Sequence, residues 1–193
     1  MKRVCIFCGS SPGTDPAFAV AARSLATGLV TAGFEVVYGG ARCGLMGMVA
    51  DAALEAGGRV IGVLPRALEA KELAHPRLTR LHLVDSMHER KALMADLSDA
   101  FVAIPGGFGT LDEFCEVLTW AQLGIHSKPC GLLNVGGYFD GFLMQVRTAI
   151  AAGLTRSEHG ALIRTATTPE ELIQRLREPV SGVIPKWMES DGR

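Results

Sequence analysis

Short apolar runs that break off at glycine alternate along this chain with longer stretches whose apolar residues recur every three or four positions. The first kind reads as buried strand and the second as amphipathic helix. Val4–Cys8 opens the series and gives way to Gly9-Ser10-Ser11-Pro12-Gly13, a loop by composition. Asp15 and Pro16 supply an N-cap and a first-turn proline, so a helix is predicted from there to about Ala32, with Gly33 as its stop. A strand over Glu35–Tyr38 ends at Gly39-Gly40, and a helix over about Leu45–Ala56 ends at Gly57-Gly58. Val60–Leu64 is a third strand, closed by Pro65, and Arg66–Leu78 reads as a loop with a helical turn. Strands over Leu81–Val84, Ala100–Ile104 and Cys130–Leu133 then alternate with helices over Met87–Leu97, Thr110–Leu123 and Tyr138–Ala152. A short strand near Leu162–Thr165 and a helix from Pro169 to about Arg177 complete the series.

Repeated strand–loop–helix order predicts an α/β fold: a three-layer, Rossmann-like, doubly wound and mostly parallel sheet with helices on both faces. No linker, composition break or internal repeat divides the 193 residues, so they read as one domain whose tail past Pro179 packs loosely. The apolar content is carried by Ala, Val, Leu and Gly, with aromatics at only 6%, which suits helices on a parallel sheet.

Charge and cysteine narrow the partners. Net charge is −1 and no segment concentrates Lys or Arg, so the basic stripe that duplex nucleic acid requires is missing. No run is long enough to span a membrane, and Met1-Lys2-Arg3 leads into too short an apolar run for a signal peptide. Cys5 and Cys8 have C-x-x-C spacing, but in a strand their sulfurs point to opposite faces, which makes them core thiols. With Cys43, Cys115 and Cys130 the count is odd, no disulfide framework is implied, and a reducing cytoplasm is expected.

In a doubly wound sheet, ligands bind outside the carboxyl ends of the strands. Three of those ends carry glycine loops, Gly9–Gly13, Gly39–Gly47 and Gly106–Gly109, expected to converge on one crevice. Pro105-Gly106-Gly107-Phe108-Gly109-Thr110 directly precedes a helix, so its amides and the helix N-terminus suit a phosphate. A tight turn without a ligand fits the same composition. The spacing is neither G-x-G-x-x-G nor a P-loop. Glu113 admits two readings. With Thr110 it forms Thr-x-x-Glu, the spacing of a capping box; alternatively it is a carboxylate held at the mouth of a phosphate site, able to bind ribose, orient water or stabilise an oxocarbenium-like transition state. Glu116 follows as a partner or a solvated residue. Arg90 and Lys91, in Met87-His88-Glu89-Arg90-Lys91, could clamp an anion or simply form a charged first turn.

Those two segments together, Met87-His88-Glu89-Arg90-Lys91 and Pro105-Gly106-Gly107-Phe108-Gly109-Thr110-Leu111-Asp112-Glu113, resemble the paired signature of the LOG ("lonely guy") family of cytokinin riboside 5'-monophosphate phosphoribohydrolases. Collinear segments extend the likeness: Cys5–Gly13, Tyr38-Gly39-Gly40, Gly44–Gly47, Leu118–His126 and Gly131–Val135. The resemblance implies a Rossmann-like homodimer in the cytoplasm that hydrolyses an N6-substituted adenosine monophosphate to free base and ribose 5-phosphate. It implies no metal and no organic cofactor. It places Arg90 and Glu113 as the catalytic pair, and Glu72, Lys91, Gly106, Gly107, Gly109, Thr110 and Thr119 as further substrate-binding positions. Ala41-Arg42-Cys43 departs from the family's small-residue run and adds a charge beside the crevice.

Three other readings compete. A general AMP nucleosidase would share the chemistry without a hormone substrate. A carrier of a phosphorylated cofactor, such as the molybdenum-cofactor carriers of this fold, would have no need of Arg90 and Glu113 together. Lysine decarboxylase, a label often given to this family, requires a Schiff-base lysine; of five lysines only Lys91 lies near the crevice, next to Arg90.

Overall fold

The structure, a computed structural model, describes residues 2–69 and 73–179. Glu72 and the tail beyond Pro179 lie outside the described residues. In chain order the elements are β1 (Arg3–Phe7), α1 (Pro16–Thr31), β2 (Glu35–Tyr38), α2 (Gly44–Glu55), β3 (Val60–Pro65), the single turn α3 (Arg66–Glu69) and β4 (Arg80–Val84). They continue with α4 (Met87–Asp96), β5 (Ala100–Ala103), α5 (Phe108–Gln122), β6 (Cys130–Leu133), a 3-10 turn (Val135–Gly137), α6 (Asp140–Ala151), α7 (Ser157–Gly160), β7 (Ile163–Ala166) and α8 (Pro169–Arg177).

All seven strands are parallel and lie in the order β4-β3-β2-β1-β5-β6-β7. The chain winds outward from β1 to β4, then returns to lay β5 against the other side of β1. The point where the winding reverses is therefore the seam between β1 and β5, registered from Val4↔Ala100 to Phe7↔Ala103.

Alternation along each central strand feeds two cores. Val4, Ile6 and Cys8 face one side with Val36, Tyr38, Val102 and Ile104, under α1, α2 and α8. Cys5 and Phe7 face the other with Val37, Phe101 and Ala103, under Met94 of α4 and Phe114 and Val117 of α5. The Cys5 and Cys8 thiols thus diverge into separate cores, and burial pushes both up from the ordinary thiol range.

Local signals set most ends. The Asp15 side chain accepts the Ala17 amide ahead of Pro16, and the Thr168 hydroxyl accepts the Glu171 amide at the start of α8. One prediction is corrected: α5 starts at Phe108, not Thr110, with Gly107 as its N-cap. Thr110 is then the third residue of the helix and Glu113 the sixth, which excludes the capping box. Two hydrogen bonds fix the earlier start: the Gly9 amide donates to the Pro105 carbonyl at 3.1 Å, and the Tyr138 hydroxyl donates to the Gly106 carbonyl at 2.6 Å. Similarly α6 begins at Asp140, after the 3-10 turn, rather than at Tyr138.

Candidate active site

The three glycine loops do converge. Ile6, Cys8, Gly9, Ser10, Gly39, Met46, Arg90, Gly107, Phe108, Gly109, Thr110 and Glu113 line one hollow of about 240 Å³ at the seam. A second hollow of about 280 Å³, lined also by Pro12, Phe18, Leu45, Gly106 and Tyr138, shares Gly9, Ser10 and Gly107 with it. Together they reach the size range of small-molecule sites.

The floor of the first hollow is the start of α5. Gly107 carries no side chain to cap it, and the first helical hydrogen bond is Leu111 to the Gly107 carbonyl, 3.2 Å. The amides of Phe108, Gly109 and Thr110 therefore have no acceptor within the helix, and an anion is their natural partner. Thr110 is buried among them. Gly106 has to be glycine: a Cβ there would collide with the Thr110 hydroxyl and crowd the Gly9 amide.

Arg90 and Glu113 form the wall. Each is only 9% exposed, and Nη1 of Arg90 stands 2.9 Å from Oε1 of Glu113. Arg90 Nε also donates to the Val63 carbonyl at 3.2 Å, so the guanidinium is held from two sides. Gly39 makes room for it, because a Cβ at that position would sit on the Arg90 fork. Burial pushes the Glu113 carboxyl above the ordinary glutamate range; Arg90 and, less strongly, Lys91 oppose this, while Asp112 and Glu116 add to it.

Lys91 points elsewhere. Its ammonium lies 3.2 Å from Asp112 and 3.1 Å from Glu116, tying α4 to α5, and it is not among the residues lining the hollow. Burial works against its charge, yet Glu116 and Asp112 hold its pKa above the ordinary value. Thr119 is exposed on α5, nine residues beyond Thr110, and lines a separate apolar hollow of about 220 Å³ between α5 and α6. Arg42 is exposed and outside the lining; its amide donates to the Leu73 carbonyl. Among the described residues no group of three His, Cys, Asp or Glu side chains is placed to hold a metal ion.

Sequence reasoning missed the fastening of the segment that follows Glu72. Ala41 pairs with Ala74, and the His75 amide donates to the Gly40 carbonyl. Buried His75 contacts Asp51 of α2 at 3.2 Å, and Arg77 ion-pairs the same carboxylate. Burial opposes the charge on Asp51, but the hydrogen bonds from Arg77 and His75 leave its carboxyl below the ordinary range. Nothing in the local pattern pairs residues 51, 75 and 77.

Residues 46–176 match the protein family described as "Possible lysine decarboxylase". The chain is 48% identical over 188 residues to cytokinin riboside 5'-monophosphate phosphoribohydrolase LOG5 of Arabidopsis thaliana, covering 96% of this chain and 82% of that one. The chain belongs to the LOG family. A second LOG relative, the cytokinin riboside 5'-monophosphate phosphoribohydrolase LOG of Oryza sativa subsp. japonica, is 45% identical over 179 residues, 93% of this chain and 74% of its own. The fold of this LOG member is also that of the molybdenum cofactor binding protein from Rippkaea orientalis, with a TM-score of 0.69 over 91% of this chain and 95% of the other, at 22% identity. That likeness concerns the fold alone. Among the described residues no lysine lines the hollow of this LOG member, which gives the decarboxylase description no support there: Lys91 is engaged by two carboxylates.

Proposed function

We propose that this chain is a hydrolase that cleaves the N-glycosidic bond of an adenosine 5'-monophosphate, N6-substituted as in cytokinin precursors, to a free adenine-type base and ribose 5-phosphate. The observation that carries this is the Arg90–Glu113 pair set beside unpaired amides of a helix N-terminus in one hollow. The 5'-phosphate docks on the amides of residues 108–110, and Arg90 adds positive charge. Glu113 then faces the ribose, where a carboxylate stabilises the positive charge that builds at C1' as the bond to the base stretches. Water adds its oxygen to C1'. The C1'–N bond electrons leave with the base, and the proton released by water reaches that base through Glu113. Among the described residues Glu113 is the one carboxyl that lines the hollow, and burial raises its affinity for a proton.

Membership in a family whose relatives are named phosphoribohydrolases supports the reaction. Helix α6 supports a homodimer: Phe142 and Leu143 pack on the core, but Met144 is exposed and Val146 and Ile150 are only half-buried, which leaves apolar surface for a second copy to cover. The five free thiols, three of them buried, suit a cytoplasmic setting. Among the described residues no helix is long and apolar enough to cross a membrane.

The test is chromatography of a nucleotide panel after incubation with the protein. Free base and ribose 5-phosphate are expected from isopentenyladenosine monophosphate and, at lower rate, from AMP. Faster turnover of AMP would make the protein a general AMP nucleosidase, and no base release from either would leave the carrier reading. Glu113→Gln should keep nucleotide affinity within several-fold and abolish turnover.

A further inference from the structure

Phe108 is the most exposed large hydrophobic side chain among the described residues, 93% open to solvent. A lone exposed apolar side chain would need no explanation, but this one lines the same hollow as Arg90 and Glu113. It is also the first residue of α5, between Gly107 and Gly109, where a Cβ would meet no atom within 4 Å. Its ring therefore stands free on both sides, with room for a flat group against it. The other apolar residues of that hollow, Ile6, Cys8 and Met46, offer no aromatic face.

We propose that Phe108 is a specificity-determining residue that stacks on the purine of the bound nucleotide. This rests on the docking of the phosphate and ribose described above. Once the phosphate occupies the amides of residues 108–110 and C1' faces Glu113, the base is the part of the ligand left to place. It is flat and π-faced. Phe18 and Tyr138 line the adjoining hollow but pack edge-to-face against each other. Among the described residues Phe108 is the ring that lines the hollow of Arg90 and Glu113, on the same residue whose amide binds the phosphate. Stacking tolerates substitution at the edge of the base, because the contact is with its face. Phe108 then selects for a base as such, while leaving the N6 substituent free to vary.

The experiment is calorimetric titration of the intact protein and of Phe108→Ala and Phe108→Trp with AMP and, separately, with ribose 5-phosphate, which has no base. Sedimentation of each variant checks the assembly, and steady-state hydrolysis of AMP gives KM and kcat. Phe108→Ala is expected to weaken AMP binding and raise KM by about tenfold, within the range of base–aromatic stacking. Ribose 5-phosphate affinity should stay within about twofold, and Phe108→Trp should restore AMP binding. Unchanged AMP affinity in Phe108→Ala overturns the proposal. So does an equal loss for ribose 5-phosphate, which would make Phe108 a support of the loop, or a loss that follows dissociation of the assembly. The hydrolase reading is judged apart from this, by whether the unaltered protein releases base. The affinities decide the role of Phe108 even without turnover.

Discussion

Nη1 of Arg90, on α4, and Oε1 of Glu113, on α5, meet 2.9 Å apart across the end of the sheet, each nearly withdrawn from water. Removing one partner of such a pair strands the other charge, at a cost of about 3 kcal/mol or more. Arg90→Met is therefore expected to lower the unfolding free energy by about that much near neutral pH. The loss should shrink in mild acid, where the stranded Glu113 takes up a proton. Urea titration of both single variants and of Arg90→Met with Glu113→Gln checks it. The double variant should lose less than the sum of the singles, and simple additivity would show that the pair is not coupled.

Activity should carry the mark of the raised Glu113 carboxyl. If its ionised form supports the reaction, the acid limb of the kcat/KM profile lies above the ordinary glutamate value of about 4.3. Lys91 lowers this carboxyl and Asp112 raises it. Lys91→Met should thus move the limb to higher pH, and Asp112→Asn to lower pH.

Stability follows the same group. Because folding raises its pKa, its contribution is complete below the unfolded glutamate value, near 4.3, and is lost as pH climbs through the folded one. The unfolding free energy of the unaltered protein minus that of Glu113→Gln should accordingly fall as pH rises above about 4. A difference that stays flat or rises would contradict the burial argument.

Gly39 is the seat of the Arg90 guanidinium. Gly39→Ala should displace the fork by roughly an ångström and cut kcat/KM by about 100-fold, the scale of such a misplacement. Circular dichroism should stay that of the unaltered fold. Near-normal turnover would show that the arginine has slack the packing denies it.

Asp51 holds His75 and Arg77 beside the Gly40 loop. Asp51→Asn should release that segment, and the amides of Arg42 and His75, which bond to Leu73 and Gly40, should exchange hydrogen faster than those of β1. Hydrogen exchange resolved by mass spectrometry reads this directly.

Much of this fold was legible in the sequence because strands and helices alternate, with glycine at most of the joints between them. The order of strands was not: nothing in the spacing of Ala100–Ala103 says that it returns to lie beside β1. The site was legible in part. Glycine is a poor helix former, which placed Phe108 and Gly109 in the loop; tertiary bonds at Pro105 and Gly106 start the helix earlier and turn Glu113 from a cap into a partner of Arg90. That partnership joins residues on two helices and became visible only through likeness to a family. The fastening of residues 73–77 left no local trace, because its partner lies on α2.

The return of β5 to the flank of β1 has a consequence during synthesis. A ribosome-bound chain that has not yet extruded Ala100–Ala103 can assemble β1 to β4, but the flank of β1 that β5 will cover stays bare. Such a half-made product offers a row of unsatisfied amides and carbonyls to any neighbour of the same kind. Stop codons or stalls upstream of that strand should therefore yield insoluble fragments rather than short working proteins.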